Sequence, residues 1–290
     1  MTMIYSMTGF AAVNRELPQG ALHLELRAVN HRYLELTFRM DETFRPVEGV
    51  MREAVAKHVN RGKVECRISF TPATTSPRAM SINTALAQQL LQLGHNVQEL
   101  SPQSAPLSVA EILRWPGVME SEGVPQETLQ EAAVELMQAA LEEFSATRGR
   151  EGEKLKGMIL ERAEQMEALV SEAAPHLPRL VAAYQEKLTN RLREAAAGLD
   201  EDRIRQEIAL FAQKIDVDEE ISRLQAHLLE VKRILKQGGA AGKRLDFMMQ
   251  ELNREANTLG SKSVATETSR LSMEFKVLIE QMREQIQNIE

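Results

Sequence analysis

The 290-residue chain is poor in the residues that most often carry covalent or redox chemistry. It has a single cysteine, Cys66, so no intrachain disulfide framework and no cysteine-ligated zinc cluster can form. Aromatic residues make up only 4%, with one Trp, three Tyr and eight Phe. No run of about 18 apolar residues occurs, so no membrane-spanning helix is expected. Glycine-rich phosphate loops, a Gly-x-Ser-x-Gly elbow and a His-Glu-x-x-His helix are all missing, which excludes the commonest nucleotide, serine-esterase and zinc-protease designs. The opening Met1-Thr2-Met3-Ile4-Tyr5 does not read as a secretory signal, and with one thiol this gives the expectation of a cytoplasmic protein with no membrane partner.

Charge is plentiful but uneven. The net charge is −7, against bulk coating of nucleic acid. Residues 1–75 nevertheless carry ten Arg and Lys against eight Asp and Glu, while the remainder carries 25 against 34. A mildly basic first quarter is joined to an acidic remainder.

Period divides the chain in the same way. Residues 22–27, 34–39 and 64–70 alternate apolar and polar, as strands with one buried face do, and 5–13 is a weaker fourth strand. A helix is predicted over 46–59 and a loop over 71–81. Short helices at 83–94 and 108–114 are parted by the proline-rich 101–106. From residue 126 the pattern is helical, with helices at about 126–147, 149–173, 177–197, 201–236, 242–258 and 263–289. The fold class is therefore α+β: a small N-terminal mixed α/β-sheet domain (1–125), a helical connecting arm (126–200) and a C-terminal helical domain with acidic motifs (201–290). Long Glu-, Ala- and Leu-rich hairpins favour association with further copies of the chain.

Three constellations could carry chemistry. Around His227, helical spacing aligns Asp216, Glu220, Arg223 and His227 beside the apolar stripe Ile221, Leu224, Leu228, Val231 and Leu235. In the next helix Asp246, Gln250, Asn253 and Asn257 share one line, with Glu251, Arg254 and Glu255 nearby. Carboxylates with an imidazole suit a hard divalent ion that activates water and offsets phosphoryl charge. The plain alternative is a solvated face, with Glu220–Arg223 as an ion pair and Asp216-x-x-Glu219 as a capping box. In the first domain Arg27, Arg32, Arg39, Arg61, Lys63 and Arg67 sit on or beside strands, with His31 and Tyr33 at a turn. Cations next to aromatic rings suit single-stranded RNA, whereas cross-strand pairing with Glu25, Glu35 and Glu65 is the alternative.

Particular strings narrow these readings. Ser6-Met7-Thr8-Gly9-Phe10, Val29-Asn30-His31-Arg32-Tyr33-Leu34 and Arg61-Gly62-Lys63-Val64-Glu65 open the chain. Glu219-Glu220-x-x-Arg223-Leu224-x-x-His227, Gly242-Lys243-Arg244-Leu245-Asp246-Phe247, Gln250–Thr258 and Gly260-Ser261-Lys262-Ser263 follow, and the chain closes on residues 283–290. Together they closely resemble the YicC/YloC family of bacterial proteins. The resemblance implies a metal-dependent endoribonuclease acting on single-stranded or structured RNA and working as a homo-oligomer, a hexamer. It makes Glu220, Arg223, His227, Glu251 and Glu255 the candidate catalytic residues. Mn²⁺ or Mg²⁺ would be held by Glu220, His227, Glu251 and Glu255, with Asp246 a fifth candidate. RNA would be contacted by Arg27, His31, Arg32, Arg61, Lys63, Arg254 and Lys262. The rival reading is a non-catalytic RNA-binding adaptor that recruits other ribonucleases.

Overall fold

The computed structural model describes residues 2–73, 80–121, 124–195, 206, 208–212 and 215–290. The chain opens with a four-stranded sheet of order β1-β2-β4-β3, formed by β1 (Gly9–Leu17), β2 (Gly20–Val29), β3 (Leu34–Arg39) and β4 (Gly62–Pro72). The three strongly alternating segments form β2, β3 and β4, and the fourth strand starts later than its pattern predicts. Strands β1, β2 and β4 pair antiparallel, while β3 runs parallel to β4. That parallel step needs a crossover, supplied by a 3₁₀ turn (Glu42–Val47) and α1 (Glu48–His58).

Alternation gives the sheet two unlike faces. Leu22, Leu24 and Leu26 of β2 and Val64, Cys66 and Ile68 of β4 are buried beneath Phe44, Met51 and Val55. Glu25, Arg27, Lys63 and Arg67 fall on the opposite, exposed phase.

Beyond the sheet, β5 (Met80–Ile82) and β6 (Met119–Ser121) form a two-stranded ribbon enclosing α2 (Thr84–Leu100) and α3 (Val109–Arg114). These short strands are not predicted, because three residues are too few to show a period.

The main departure from expectation is α4, one unbroken helix over Gln126–Ala173 where two helices meeting near Gly149 are predicted. At 1.5 Å per residue it is about 70 Å long. Its first half buries Leu129, Leu136, Met137 and Phe144 against the sheet. Its second half buries Leu155, Ile159, Met166 and Val170 in a separate helical core. Each such side chain contributes about 1.5–3 kcal/mol. The two cores therefore share one rigid element. Glycine costs a helix about 1 kcal/mol relative to alanine, yet Gly149 and Gly152 are retained where the N-terminal segment crosses: a Cβ at Gly152 would collide with the Ile4 carbonyl, and one at Gly149 with the Met3 sulfur.

The helical core is completed by α5 (Leu177–Ala195), α6 (Asp218–Gln237), α7 (Gly242–Ser261) and α8 (Thr266–Ile286). Of the helix expected over 201–236, residues 201–205, 207, 213 and 214 lie outside the described residues. The expected helix is interrupted at Asp216 and Val217, so that α6 begins only at Asp218. Tyr184 of α5 stacks on Phe211, ring centroids 5.6 Å apart. No helix among the described residues is long and apolar enough to cross a membrane.

Candidate functional site

Helices α6 and α7 form an antiparallel hairpin turned by Gly238 and Gly239, whose φ values of 70° and 74° are unfavourable for other residues. The apolar stripes read from the sequence face inward: Ile221, Leu224, Leu228, Val231 and Leu235 from α6, and Leu245, Met248, Met249, Leu252, Ala256 and Leu259 from α7. Burying those stripes fixes the rotation of both helices and brings their acidic lines to the seam.

Two of the acidic groups are driven into the seam itself. Glu220 is 4% exposed and Glu255 3%. A buried carboxylate without a partner costs several kcal/mol, and both have one. Lys262 Nζ lies 2.9 Å and 3.1 Å from the two Glu220 carboxylate oxygens and donates to the Asp216 carbonyl at 2.9 Å. Arg223 bridges the helices, 3.6 Å from Glu255 and 2.5 Å from Glu219. The ion pair foreseen as Glu220–Arg223 is thus replaced by Glu219–Arg223, one full turn apart, with Glu220 assigned to Lys262. The foreseen capping box is also replaced: Val217 caps α6, and Asp216 Oδ1 accepts the Asp218 N–H at 3.0 Å.

His227 and Glu251 are half-buried further along, and Asn253, Arg254 and Asn257 are exposed. In donor type this face suits a hard divalent ion, and the Lys262 ammonium already sits as a cation among three oxygens. No three His, Cys, Asp or Glu side chains converge into a metal-holding group among the described residues. Asp246 stands apart, nine residues before Glu255 on the same helix, a rise of about 14 Å.

Asp246 instead lines a cleft of about 310 Å³ between the two cores, together with His31, Arg32, Arg61, Lys243 and Gln287. Arg61 donates to the Ile289 carbonyl at 2.6 Å, and burial lowers its pKa from the usual guanidinium value. Asn30 Nδ2 donates to the Gln287 carbonyl at 2.8 Å. Both therefore tie the sheet body to the last turn of the chain. His31 makes a 3.0 Å hydrogen bond to the Tyr33 carbonyl and lies 3.7 Å from Glu35. Arg32 stacks over the Tyr33 ring at 5.2 Å. Lys243 on the first turn of α7 is the cleft cation that sequence reasoning did not assign; its signal was the Gly-Lys-Arg string opening the helix.

On the open face of the sheet, Arg39 pairs with Glu65 at 2.9 Å and Arg67 lies 3.5 Å from the same carboxylate. Arg27 stands opposite Glu65 in register and Lys63 opposite Glu35, but neither is held in an ion pair among the described residues.

Fold and sites together define a protein of two bodies, an α+β module and a helical bundle, sharing one helix and meeting across a cationic cleft. Residues 4–157 match the family model described as "Endoribonuclease YicC-like, N-terminal region", and residues 173–290 match "Endoribonuclease YicC-like, C-terminal". The chain is 41% identical over 290 residues to a probable endoribonuclease YicC of Haemophilus influenzae, covering 99% of this chain and all of that one. It is 29% identical over 293 residues to a probable endoribonuclease YicC of Clostridioides difficile, again covering 99% of this chain and all of the relative. The chain belongs to the YicC-like endoribonuclease family. The first family model ends inside α4 and the second begins at its last residue, as expected where one helix serves two bodies.

Proposed function

We propose that this protein is a metal-dependent endoribonuclease that cleaves phosphodiester bonds in single-stranded or structured RNA on the α6–α7 face. The observation that carries the reading is the pair of buried glutamates in the α6–α7 seam, Glu220 matched to Lys262 and Glu255 to Arg223. Burying two carboxylates in one seam is costly for a purely structural helix pair, and apolar residues of similar size would pack there as well.

In this reading Arg223 and Lys262 engage the non-bridging oxygens of the scissile phosphate, and Arg254 holds the next one. The residues that would hold a divalent ion, Mn²⁺ or Mg²⁺, are Glu220, His227, Glu251 and Glu255, which would have to converge from their present placement as Lys262 and Arg223 turn to the phosphate, and the ion would supply Lewis acidity when bound. His227 and Glu251 serve as ligands of the ion, while the nucleophile, a bound water or the 2′-hydroxyl, gives its proton to solvent as the P–O bond to the leaving oxygen breaks and that oxygen takes a proton from solvent. Arg27, Lys63, Arg32 and Arg61 guide the strand across the sheet and the cleft. We also propose that the active form is a homo-oligomer, a hexamer, in the cytoplasm. The apolar face of α2, where Leu93, Val97 and Leu100 are exposed at helical spacing, supports self-association.

The test is incubation of purified protein with labelled RNA in EDTA, then with Mn²⁺ or Mg²⁺ restored. Cleavage should need the ion, and Glu220→Ala, His227→Ala and Glu251→Ala should each lower it by at least about a hundredfold with circular dichroism unchanged. RNA bound but never cut under any ion would replace this reading with that of an adaptor recruiting other ribonucleases. Light scattering tests the assembly.

A further inference from the structure

The cleft between the two cores is chemically mixed in a way that phosphate binding does not explain. A site for phosphate alone would present only donors. Here Arg32, Arg61 and Lys243 share the lining with the carboxylate of Asp246, which repels a phosphate. Asp246 is not consumed by the fold: Oδ2 accepts from Gln250 Nε2 at 3.0 Å, and the nearest cation, Arg283, is 3.9 Å from Oδ1. Each oxygen keeps accepting capacity.

A carboxylate presents two acceptors side by side and is best met by two adjacent donors. Among the four RNA bases only guanine offers such a pair, N1–H and the N2 amino group. Its opposite edge carries the O6 and N7 acceptors that Arg and Lys favour. Adenine and cytosine each present a single amino group next to an acceptor, and uracil a single imino N–H between two acceptors. At about 310 Å³ the cleft is at the lower end of small-ligand pockets. Beside it, Tyr33 is 63% exposed with the Arg32 guanidinium already stacked on its ring. An exposed ring with a guanidinium is the platform on which an adjoining base stacks.

We propose that this cleft seats one unpaired guanosine of the RNA, with Asp246 accepting from its Watson–Crick edge, Lys243 and Arg61 facing O6 and N7, and the neighbouring base stacked at Tyr33. The proposal rests on the RNA reading above and deepens it, giving the enzyme a specificity pocket distinct from the α6–α7 face. Because the edge that Asp246 reads is used up in a base pair, the pocket selects single-stranded guanosine and rejects the same base in a duplex.

Short fluorescent RNAs that are all uridine except for one central guanosine, adenosine, cytidine or inosine test this by anisotropy with the full chain in EDTA. Inosine lacks only the N2 amino group. Guanosine should bind at least about fivefold tighter than adenosine or cytidine, with inosine between. Asp246→Asn should reduce the preference to under about twofold, and Lys243→Ala should weaken the guanosine probe most. Equal binding of all four probes would overturn the pocket while leaving the cleavage reading intact. A guanosine preference undiminished in Asp246→Asn would overturn it too. No binding of any probe or of a longer RNA would take down both readings together.

Discussion

Arg148, in the middle of α4, is ion-paired with Glu290, and the pair fastens the sheet body to the end of the helical bundle. Arg148 is 1% exposed and lies between the Tyr5 and Phe144 rings, 5.6 Å and 5.5 Å from their centroids. Its Nε donates to the Ser6 carbonyl at 2.7 Å and Nη1 to the His58 carbonyl at 3.2 Å. Burial pulls its pKa down to about 10, so it remains charged at neutral pH. Around the pair, Ser6 bridges to Ile289, Met7 N–H donates to the Asn288 carbonyl and Glu290 N–H to the Tyr5 carbonyl.

Removing one partner of a buried pair strands the other. Glu290→Ala should therefore cost about 3 kcal/mol in urea unfolding. Replacing both, as Arg148→Met with Glu290→Ala, should recover part of that loss, since no uncompensated charge then remains. A double variant less stable than either single one would show that the hydrogen bonds of Arg148 to Ser6 and His58, rather than its pairing, hold the joint.

The same logic applies to the α6–α7 seam. Lys262→Met leaves Glu220 buried without its cation and should destabilise by about 3 kcal/mol, with most of it returned by adding Glu220→Gln. The cycle is read from urea midpoints at equal m-value. Independent, additive losses would mean that Lys262 and Glu220 are not coupled.

Much of this architecture is legible in the sequence, and the exceptions share a cause. Strict alternation at 22–27 and 64–70 identifies strands with one buried face, and the stripes Ile221–Leu235 and Leu245–Leu259 orient their helices, because both are local periods. The partner of a charge is not local. Glu220 reads as paired with Arg223 three residues on, but the hairpin brings Lys262 to it from 42 positions away. Arg148 falls between the two helices expected on either side of it, and nothing local marks a partner 142 positions away. Gly149 reads as a helix joint because propensity is all the sequence offers there; the compensating crossing of Met3 and Ile4 is a tertiary fact. For the candidate site, the two acidic lines are legible and the separation of Asp246 into the cleft is not, because both lie on one helix.

Cys66 gives a prediction with a definite sign. Burial raises its thiol from 9.0 to about 12, so the folded state holds the proton more tightly than the unfolded state. The stability linked to this group is complete below pH 9.0 and is lost as pH climbs toward about 12. At pH 8 a thiol reagent should react with native protein only at the rate of unfolding, and immediately in denaturant. Rapid stoichiometric labelling of native protein would contradict the burial of β4 against α1 and α4.

Gly152→Ala separates helix propensity from packing. Alanine is the better helix former by about 1 kcal/mol, so an isolated α4 would gain. In the whole chain the added methyl meets the Ile4 backbone, which cannot move without releasing the Ser6 and Met7 hydrogen bonds. The variant should lose about 2 kcal/mol or more, and amides of residues 4–7 should exchange hydrogen faster. Unchanged or increased stability would mean that the N-terminal segment contributes nothing to the joint.

The sheet's open face makes a quantitative prediction about ionic strength. Arg27 and Lys63 have no ion-pair partner among the described residues, whereas Arg39 and Arg67 share Glu65. A cation already neutralised by a carboxylate displaces fewer counterions from a polyanion than a free one. If RNA crosses this face, Arg27→Ala and Lys63→Ala should each flatten the slope of log Kd against log salt by about 0.7, the value for one phosphate contact on a single strand. Arg39→Ala should change the slope by much less, because its charge is already offset by Glu65, which keeps Arg67 as a neighbour. The ordering of these three slopes, measured by anisotropy on one RNA, distinguishes a strand tracked along the exposed sheet from one confined to the α6–α7 face, for which none of the three slopes would move.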